Sequence, residues 1–325
     1  VRLQSFNKGN FVAVSRDEIL AGSEKLSFDL YSINLEQGML EPVVICRRGT
    51  SSHEVAKAIS GRLLDKLFVR KQALQDFYDH MEESLASVID NPSLPTKKKS
   101  DILYNCASNV MQDVYNDPRS GENIERSREI SNHIIRFSLN DPASIPTLLS
   151  LSSHNYYTFT HCVNVAVFGV GLWQFIGLGS PSELREFAQG AILHDVGKSK
   201  IADAILNKPG KLTDEEFEVI KTHPRNGYEL MEGKVSDMAL DIILHHHERY
   251  DGSGYPEKLG GSTISDNAKV AILADVYDAL TTNRPYGGAR DPFQAMLLMK
   301  EKMVGHFEQQ KFISFVKFLS NTPTA

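Results

Sequence analysis

The sequence predicts an α+β protein: a small mixed α/β N-terminal domain followed by an all-α helical bundle. Three observations carry this prediction. Runs rich in β-branched and aromatic residues, bounded by Gly, Asn and Ser, occur only in the first 70 residues. Beyond them, apolar residues recur at helical spacing. Gly/Pro loops then cut the second half into helix-sized pieces. A chain of 325 residues fits two domains of roughly 100–200 residues each. The expected division is 1–140, a sensor-like or regulatory-like domain with helical connectors, and 147–325, the helical domain. The turn-rich NDPASIP (140–146) lies between them.

Taken in order, FVAVS (11–15), KLSFDLYSI (25–33), EPVVICR (41–47) and LFVR (67–70) have strand character. SSHEVAKAISGRLLDKL (51–67) reads as a helix, with Ser51 or Ser52 as its cap ahead of Glu54. Three amphipathic helices follow over 70–90, 95–117 and 121–141, the last with Ile130, Ile134 and Phe137 at i, i+4, i+7. After 146 the chain reads as almost continuous helix, without repeats or low-complexity tracts.

The formal net charge of -6, with no basic block, excludes general nucleic-acid binding through phosphate neutralisation. Three scattered cysteines, Cys46, Cys106 and Cys162, do not form a disulfide framework, and a cytoplasmic location is expected. The N-terminal stretch has no signal-peptide core. No apolar run is expected to reach the roughly 18–20 residues of a membrane span. The nearest, 164–179, reads as a buried helix, and no membrane partner is expected.

Eleven histidines are present, and seven of them lie between 154 and 247. In ILHDVGK (192–198), His194 and Asp195 are adjacent at a helix end that Gly197 is expected to terminate, with Lys198 able to reach an anion. His223 precedes Pro224, which places it at a helix end or loop. In SDMALDIILHHHE (236–248), His247 continues the apolar stripe of Leu240, Ile243 and Leu244. His246 falls on the flank of that stripe, and His245 on the exposed side. Asp275 shares a face with Ala268, Ala271, Ile272 and Ala279, so its charge needs a metal or an ion pair. His161 points inward with Val165 and Phe168, as a ligand or as a hydrogen-bonded core residue. Asp278, Lys200 and Lys221 read as solvated. His53, His80, His133, His154 and His306 read as surface or structural, and Tyr156 and Tyr157 as packing. Together the donors number more than the four that close a structural zinc site, and they contain no Cys. That combination points to two metals, with Fe or Mn favoured.

HDVGK (194–198), KTHPRNG (221–227) and HHERYDGSGYP (246–256) resemble the HD-GYP branch of the HD-domain phosphohydrolases. ILNKPGKLTDEEFEVIK (205–221) and ADVYDALTTNRPY (274–286) extend the resemblance, which covers roughly 150–300 and leaves the N-terminal half unplaced. It implies an HD-type helical bundle that hydrolyses cyclic di-GMP to pGpG or GMP at a centre of two or three iron or manganese ions. Carried onto this chain, the implied metal ligands are His161, His194, Asp195, His223, His246, His247 and Asp275, with Asp195 bridging. Lys198 is similar to a family lysine that binds or protonates phosphate, and Arg284 to a phosphate-contacting arginine. Tyr255 stands in the glycine-permitted loop on the rim of the site, a loop that the family also links to protein partners.

Two departures shape the expectation. Three-metal members carry a glutamate where this chain has Tyr157, so a binuclear centre is implied. After RPY many members have a basic residue, whereas this chain has Gly287 and Gly288, which removes one phosphate contact. The expected function is therefore hydrolysis of cyclic di-GMP by a metal-activated water. The alternatives are a metal-loaded module that binds the nucleotide or a protein partner without turnover, and a hydrolase of another phosphodiester.

Overall fold

A computed structural model of the chain describes residues 10–21, 25–36, 39–60, 66–151, 158–282 and 289–321. It divides into two compact units, Val1–Cys106 and Ala107–Ala325. The α+β class is as predicted, with strands confined, among the described residues, to the first unit.

In the first unit, β1 (Phe11–Val14), β2 (Leu30–Glu36), β3 (Met39–Cys46) and β4 (Leu67–Arg70) form one antiparallel sheet of order β1-β4-β2-β3. Phe11 pairs with Arg70, and Leu30 with Cys46. Alternation decides the faces: Leu67 and Val69 are buried while Arg70 is exposed. Two helices pack on the sheet, α2 (Ser52–Ser60) on β3 and α3 (Leu74–Asp90) on β4, and α1 (Arg16–Ala21) packs against both helices. Their core includes Leu26, Phe28, Val55, Ile59 and Phe77. The expected cap of α2 is Ser51: Glu54 donates its backbone N–H to the Ser51 hydroxyl (3.4 Å), and its carboxylate accepts the Ser51 N–H (3.1 Å). Two expectations are corrected here. The second strand starts at Leu30 rather than 25, and α1 was not anticipated, because six residues are too few to display a period.

The helix α4 (Thr96–Asn116) begins in the first unit and ends in the second. It is followed by α5 (Gly121–Asn140) and α6 (Ser144–Leu151). The turn-rich stretch 140–146 is thus shorter than expected, since α6 starts inside it.

The second unit centres on α7 (Thr158–Ile176), α8 (Pro181–Leu193), α12 (Asp237–His245) and α13 (Asp266–Thr281), packed α13 on α7 on α8 on α12. Around them lie α9 (Asp203–Leu206), α10 (Asp214–Ile220), α11 (His223–Met231), α14 (Pro292–Lys302) and α15 (Gln309–Ser320). Local sequence sets the helix starts. Ser180 and Glu183 form a reciprocal capping box with Pro181 in the first turn, and Thr213 with Glu216 forms another. Ser236 and Ser265 cap α12 and α13, each such cap contributing about 1 kcal/mol. Gly190 lets α8 approach α12: a Cβ there would lie 2.8 Å from the Ala239 Cα.

The helix α7 corrects another expectation. The segment Phe159–Ile176 reaches a mean hydropathy of 1.4 over 18 residues, enough by length and composition to cross a membrane. That window is 78% buried against neighbouring helices, as a core helix requires.

Candidate metal centre

The helices α7, α8 and α12 of the inner layer end or begin at one cluster, and α13 passes beside it. The first turn of α7 supplies His161, the C-terminus of α8 supplies His194 and then Asp195, and α11 opens with His223. The end of α12 supplies His246 and His247, and α13 supplies Asp275 from its middle. His161, His194, Asp195, His223, His246 and Asp275 are all buried, whereas the His247 side chain is 26% exposed.

Three of the imidazoles are held by one device. The Nδ1 atoms of His194, His223 and His246 lie 2.7, 2.8 and 2.9 Å from the carbonyl oxygens of Ala191, Ile220 and Ile243. Each carbonyl stands three residues earlier, in the last turn of a helix, where the regular ladder leaves acceptors unused. A carbonyl can only accept, so each Nδ1 carries a proton and Nε2 is the atom turned toward the cluster. His161 obtains the same tautomer from a carboxylate, with Nδ1 2.6 Å from Asp278 Oδ2. Partners of this kind fix ring orientation and raise ligand basicity in metal sites.

The Nε2 atoms then converge on Asp195. His223 Nε2 is 3.1 Å from Oδ1 and His246 Nε2 is 3.7 Å from it. On the other oxygen, His194 Nε2 is 3.4 Å and His161 Nε2 3.7 Å from Oδ2. Asp275 lies beside both halves, its Oδ1 3.0 Å from His161 Nε2 and its Oδ2 3.6 Å from His247 Nδ1. Two donor groups result, Asp195–His223–His246–His247 and His161–His194–Asp195, with Asp195 common to both.

This arrangement fits cations and is poorly suited without them. The Nε2 atoms of His223 and His246 face each other at 3.0 Å. Burial pushes the His246 pKa down to about 4, so its Nε2 offers a lone pair. His194 Nε2 and Asp195 Oδ1 are buried without a hydrogen-bond partner. Burial also works against the charges of Asp195 and Asp275. Lys198 and His194 beside Asp195, and the His161 hydrogen bond to Asp275, outweigh it and hold both carboxyls well below the usual range. Carboxylate oxygens and imidazole nitrogens without Cys are the donors that suit Fe or Mn.

Lys198, from the 3-10 turn Val196–Lys200, places Nζ 2.5 Å from Asp195 Oδ2 and remains 18% exposed. Tyr255 lies over the mouth: its ring is 4.8 Å from that of His247 at 30°, and its N–H donates to the His247 carbonyl (3.2 Å). Burial raises the pKa of its hydroxyl, which therefore stays protonated. His245 faces away from the cluster, between Asp241 (2.7 Å) and Glu257 (3.3 Å). Burial opposes its charge, yet those two carboxylates raise its pKa. Arg284, His154, Tyr156, Tyr157, Gly287 and Gly288 lie outside the described residues.

Several expectations change. His246, not His247, is the fully enclosed member of the pair, because the helix ends at His245 and its period does not carry onward. Gly197 does not terminate α8. It sits inside the 3-10 turn, where a Cβ would lie 2.0 Å from the His223 carbonyl oxygen. Asp278 is not solvated: it is buried and accepts from His161, from Asn164 (2.8 Å) and from Thr282 (3.0 Å). It follows Asp275 by three residues, the signal that could have found it. Glu248 was also missed. It is buried, with one oxygen accepting the Glu257 N–H at 2.7 Å and the other without a partner. Lys200 and Lys221 do lie near the surface, paired with Glu229 (3.3 Å) and Glu218 (2.5 Å).

Comparison with known proteins agrees with this geometry. The HD domain family matches residues 178–310. A cyclic di-GMP phosphodiesterase of Pseudomonas aeruginosa is 36% identical over 226 residues, 68% of this chain and 54% of that protein. A cyclic di-GMP phosphodiesterase of Vibrio cholerae is 32% identical over 262 residues, 77% of this chain and 52% of that protein. The chain thus spans about half the length of these curated relatives. An HDG"Y"P protein from Bdellovibrio bacteriovorus has the same fold, with a TM-score of 0.68 at 18% identity, covering 96% of this chain and all of that one. Residues 178–310 thus form an HD domain, and the HHERYDGSGYP segment within it resembles the HD-GYP branch.

Proposed function

We propose that this chain hydrolyses cyclic di-GMP, to pGpG or GMP, at a binuclear iron or manganese centre in the cytoplasm. The observation that carries the reading is the shared position of Asp195: it is the only carboxylate common to two groups of candidate metal donors among the described residues. The names of the relatives supply the substrate. The three cysteines are buried and joined by no disulfide among the described residues, which supports a reducing compartment.

His223, His246, His247 and Asp195 would hold one cation, and His161, His194, Asp195 and Asp275 the other. Two divalent cations held there would acidify a water and offset the charge that develops on the phosphodiester. The chain's own contribution is orientation and proton management. Asp278 and the three carbonyls keep Nδ1 of His161, His194, His223 and His246 protonated, so each of these four rings turns Nε2 toward the cluster. Lys198, at the accessible edge of the cluster, is placed to contact a phosphate oxygen and to give a proton to the leaving 3′-oxygen. The Tyr255 ring walls the mouth beside His247. Arg284 would add a phosphate contact, and the loop that carries Tyr255 would serve as a docking edge for a protein partner.

Anaerobic purification, metal analysis and a turnover assay test the reading together. About two Fe or Mn per chain, with cyclic di-GMP turnover that His194→Ala abolishes, supports it. Two metals without turnover overturns the enzyme assignment for this substrate and leaves nucleotide binding or another phosphodiester.

A further inference from the structure

We propose that Tyr115 is a positioning residue for Asp195, and that it makes α4 a strut on which the metal centre rests. The proposal builds on the reading of Asp195 as a shared metal ligand. Tyr115 stands in the last turn of α4, and its hydroxyl donates to the main-chain carbonyl of Asp195 at 2.8 Å, 80 positions along the sequence. The same carbonyl accepts the Lys198 N–H at 2.9 Å. Both lone pairs of this carbonyl oxygen are therefore engaged, one by the 3-10 turn that carries Lys198 and one by α4.

That double hold matters because of where Asp195 sits. It links the end of α8 to the 3-10 turn with φ -96° and ψ 3°, in the sparsely populated bridge region. A residue there keeps its direction only when its surroundings over-determine it. Its carboxylate must nevertheless aim one oxygen at His223 and His246 and the other at His161 and His194. The Tyr115 hydroxyl also lies 3.6 Å from the Cys162 sulfur, one residue after His161 on α7. The tip of α4 thus touches the main chain of the shared carboxylate and the neighbour of a second donor.

The test uses the full chain as wild type, Tyr115→Phe and Cys162→Ala. Tyr115→Phe keeps the ring and removes only the hydroxyl. Cys162→Ala disturbs the packing around the hydroxyl and leaves its bond to Asp195. The readouts are Mn²⁺ affinity of the metal-free chain by chelator competition, kcat and KM for cyclic di-GMP at saturating Mn²⁺, and the melting temperature. The expected result for Tyr115→Phe is Mn²⁺ binding about 10-fold weaker, the size of loss usual when a group supporting a metal ligand is removed. Its kcat falls while KM stays within about twofold, and Cys162→Ala keeps wild-type Mn²⁺ affinity. Unchanged Mn²⁺ affinity in Tyr115→Phe, or an equal loss in Cys162→Ala, overturns the proposal. A wild-type chain that binds Mn²⁺ but does not turn over cyclic di-GMP removes the substrate assignment alone, and the affinity measurement still decides the role of Tyr115. A wild-type chain that binds neither Mn²⁺ nor Fe²⁺ overturns both.

Discussion

His161 Nδ1 lies 2.6 Å from Asp278 Oδ2, a bond between α7 and α13 that joins residues 117 positions apart. Both groups are buried, and Asp278 also ties down Asn164 and Thr282. The carboxylate therefore fixes the tautomer and orientation of His161 from behind. Asp278→Asn keeps the shape and removes the charge. The expected loss is about 10- to 100-fold in metal affinity or activity. Titration of the metal-free variant with Mn²⁺ checks this, and affinity equal to wild type would reduce Asp278 to a packing role.

Lys198 contacts Asp195 and solvent at once. If it delivers the proton to the leaving oxygen, Lys198→Ala should reduce kcat about 10²-fold or more, in the range for loss of a general acid. Metal content should stay at the wild-type level. A variant with full kcat and only a raised KM would restrict the lysine to substrate binding.

The histidine triplet should separate cleanly. His246→Ala removes an enclosed donor and should lower the metal bound per chain. His245→Ala breaks only the contacts to Asp241 and Glu257, so metal content should hold while stability falls by about 1 kcal/mol. Metal analysis with urea unfolding distinguishes them, and metal loss in His245→Ala would contradict the assignment.

The metal-free chain should also weaken in mild acid. An unfolded histidine takes up its proton near pH 6.5, whereas folded His246 resists protonation until about pH 4. Between those values the unfolded chain binds more protons, so stability rises with pH across the window and is lost as pH falls through it. His246 alone accounts for about 3 kcal/mol over the full interval. Urea unfolding of the metal-free chain at pH 7, 5.5 and 4.5 measures the slope, and a flat profile would mean that the ring is less enclosed than its burial implies.

How much of the centre could be read from sequence depended on how local the signal was. His194, Asp195, His223 and Asp275 announced themselves through adjacency, a following proline or an apolar stripe, and the structure brings them together. The order of burial within the histidine pair was misread because a helical period was extended past the end of its helix. Asp278 was set aside as solvated although its spacing from Asp275 puts it one turn further along α13. Tyr115 had no local signal at all: its value comes from a contact 80 residues away, which no pattern within α4 encodes. The same holds for the Nδ1 anchors, which become visible only once the helix ends are known.

Gly197 and Gly227 stand 30 positions apart, yet a Cβ on Gly197 would lie 2.4 Å from the Gly227 nitrogen, and one on Gly227 would lie 3.4 Å from the Gly197 nitrogen. Their main chains carry Asp195 and His223 just upstream. The two segments are thus joined backbone to backbone, with no side chain between them to absorb error. For an engineer this is a fixed datum: loops elsewhere on the domain can be exchanged, but HDVGK and HPRNG must be transplanted as one piece. A graft that moves either alone brings the donor atoms along and loses the register between them.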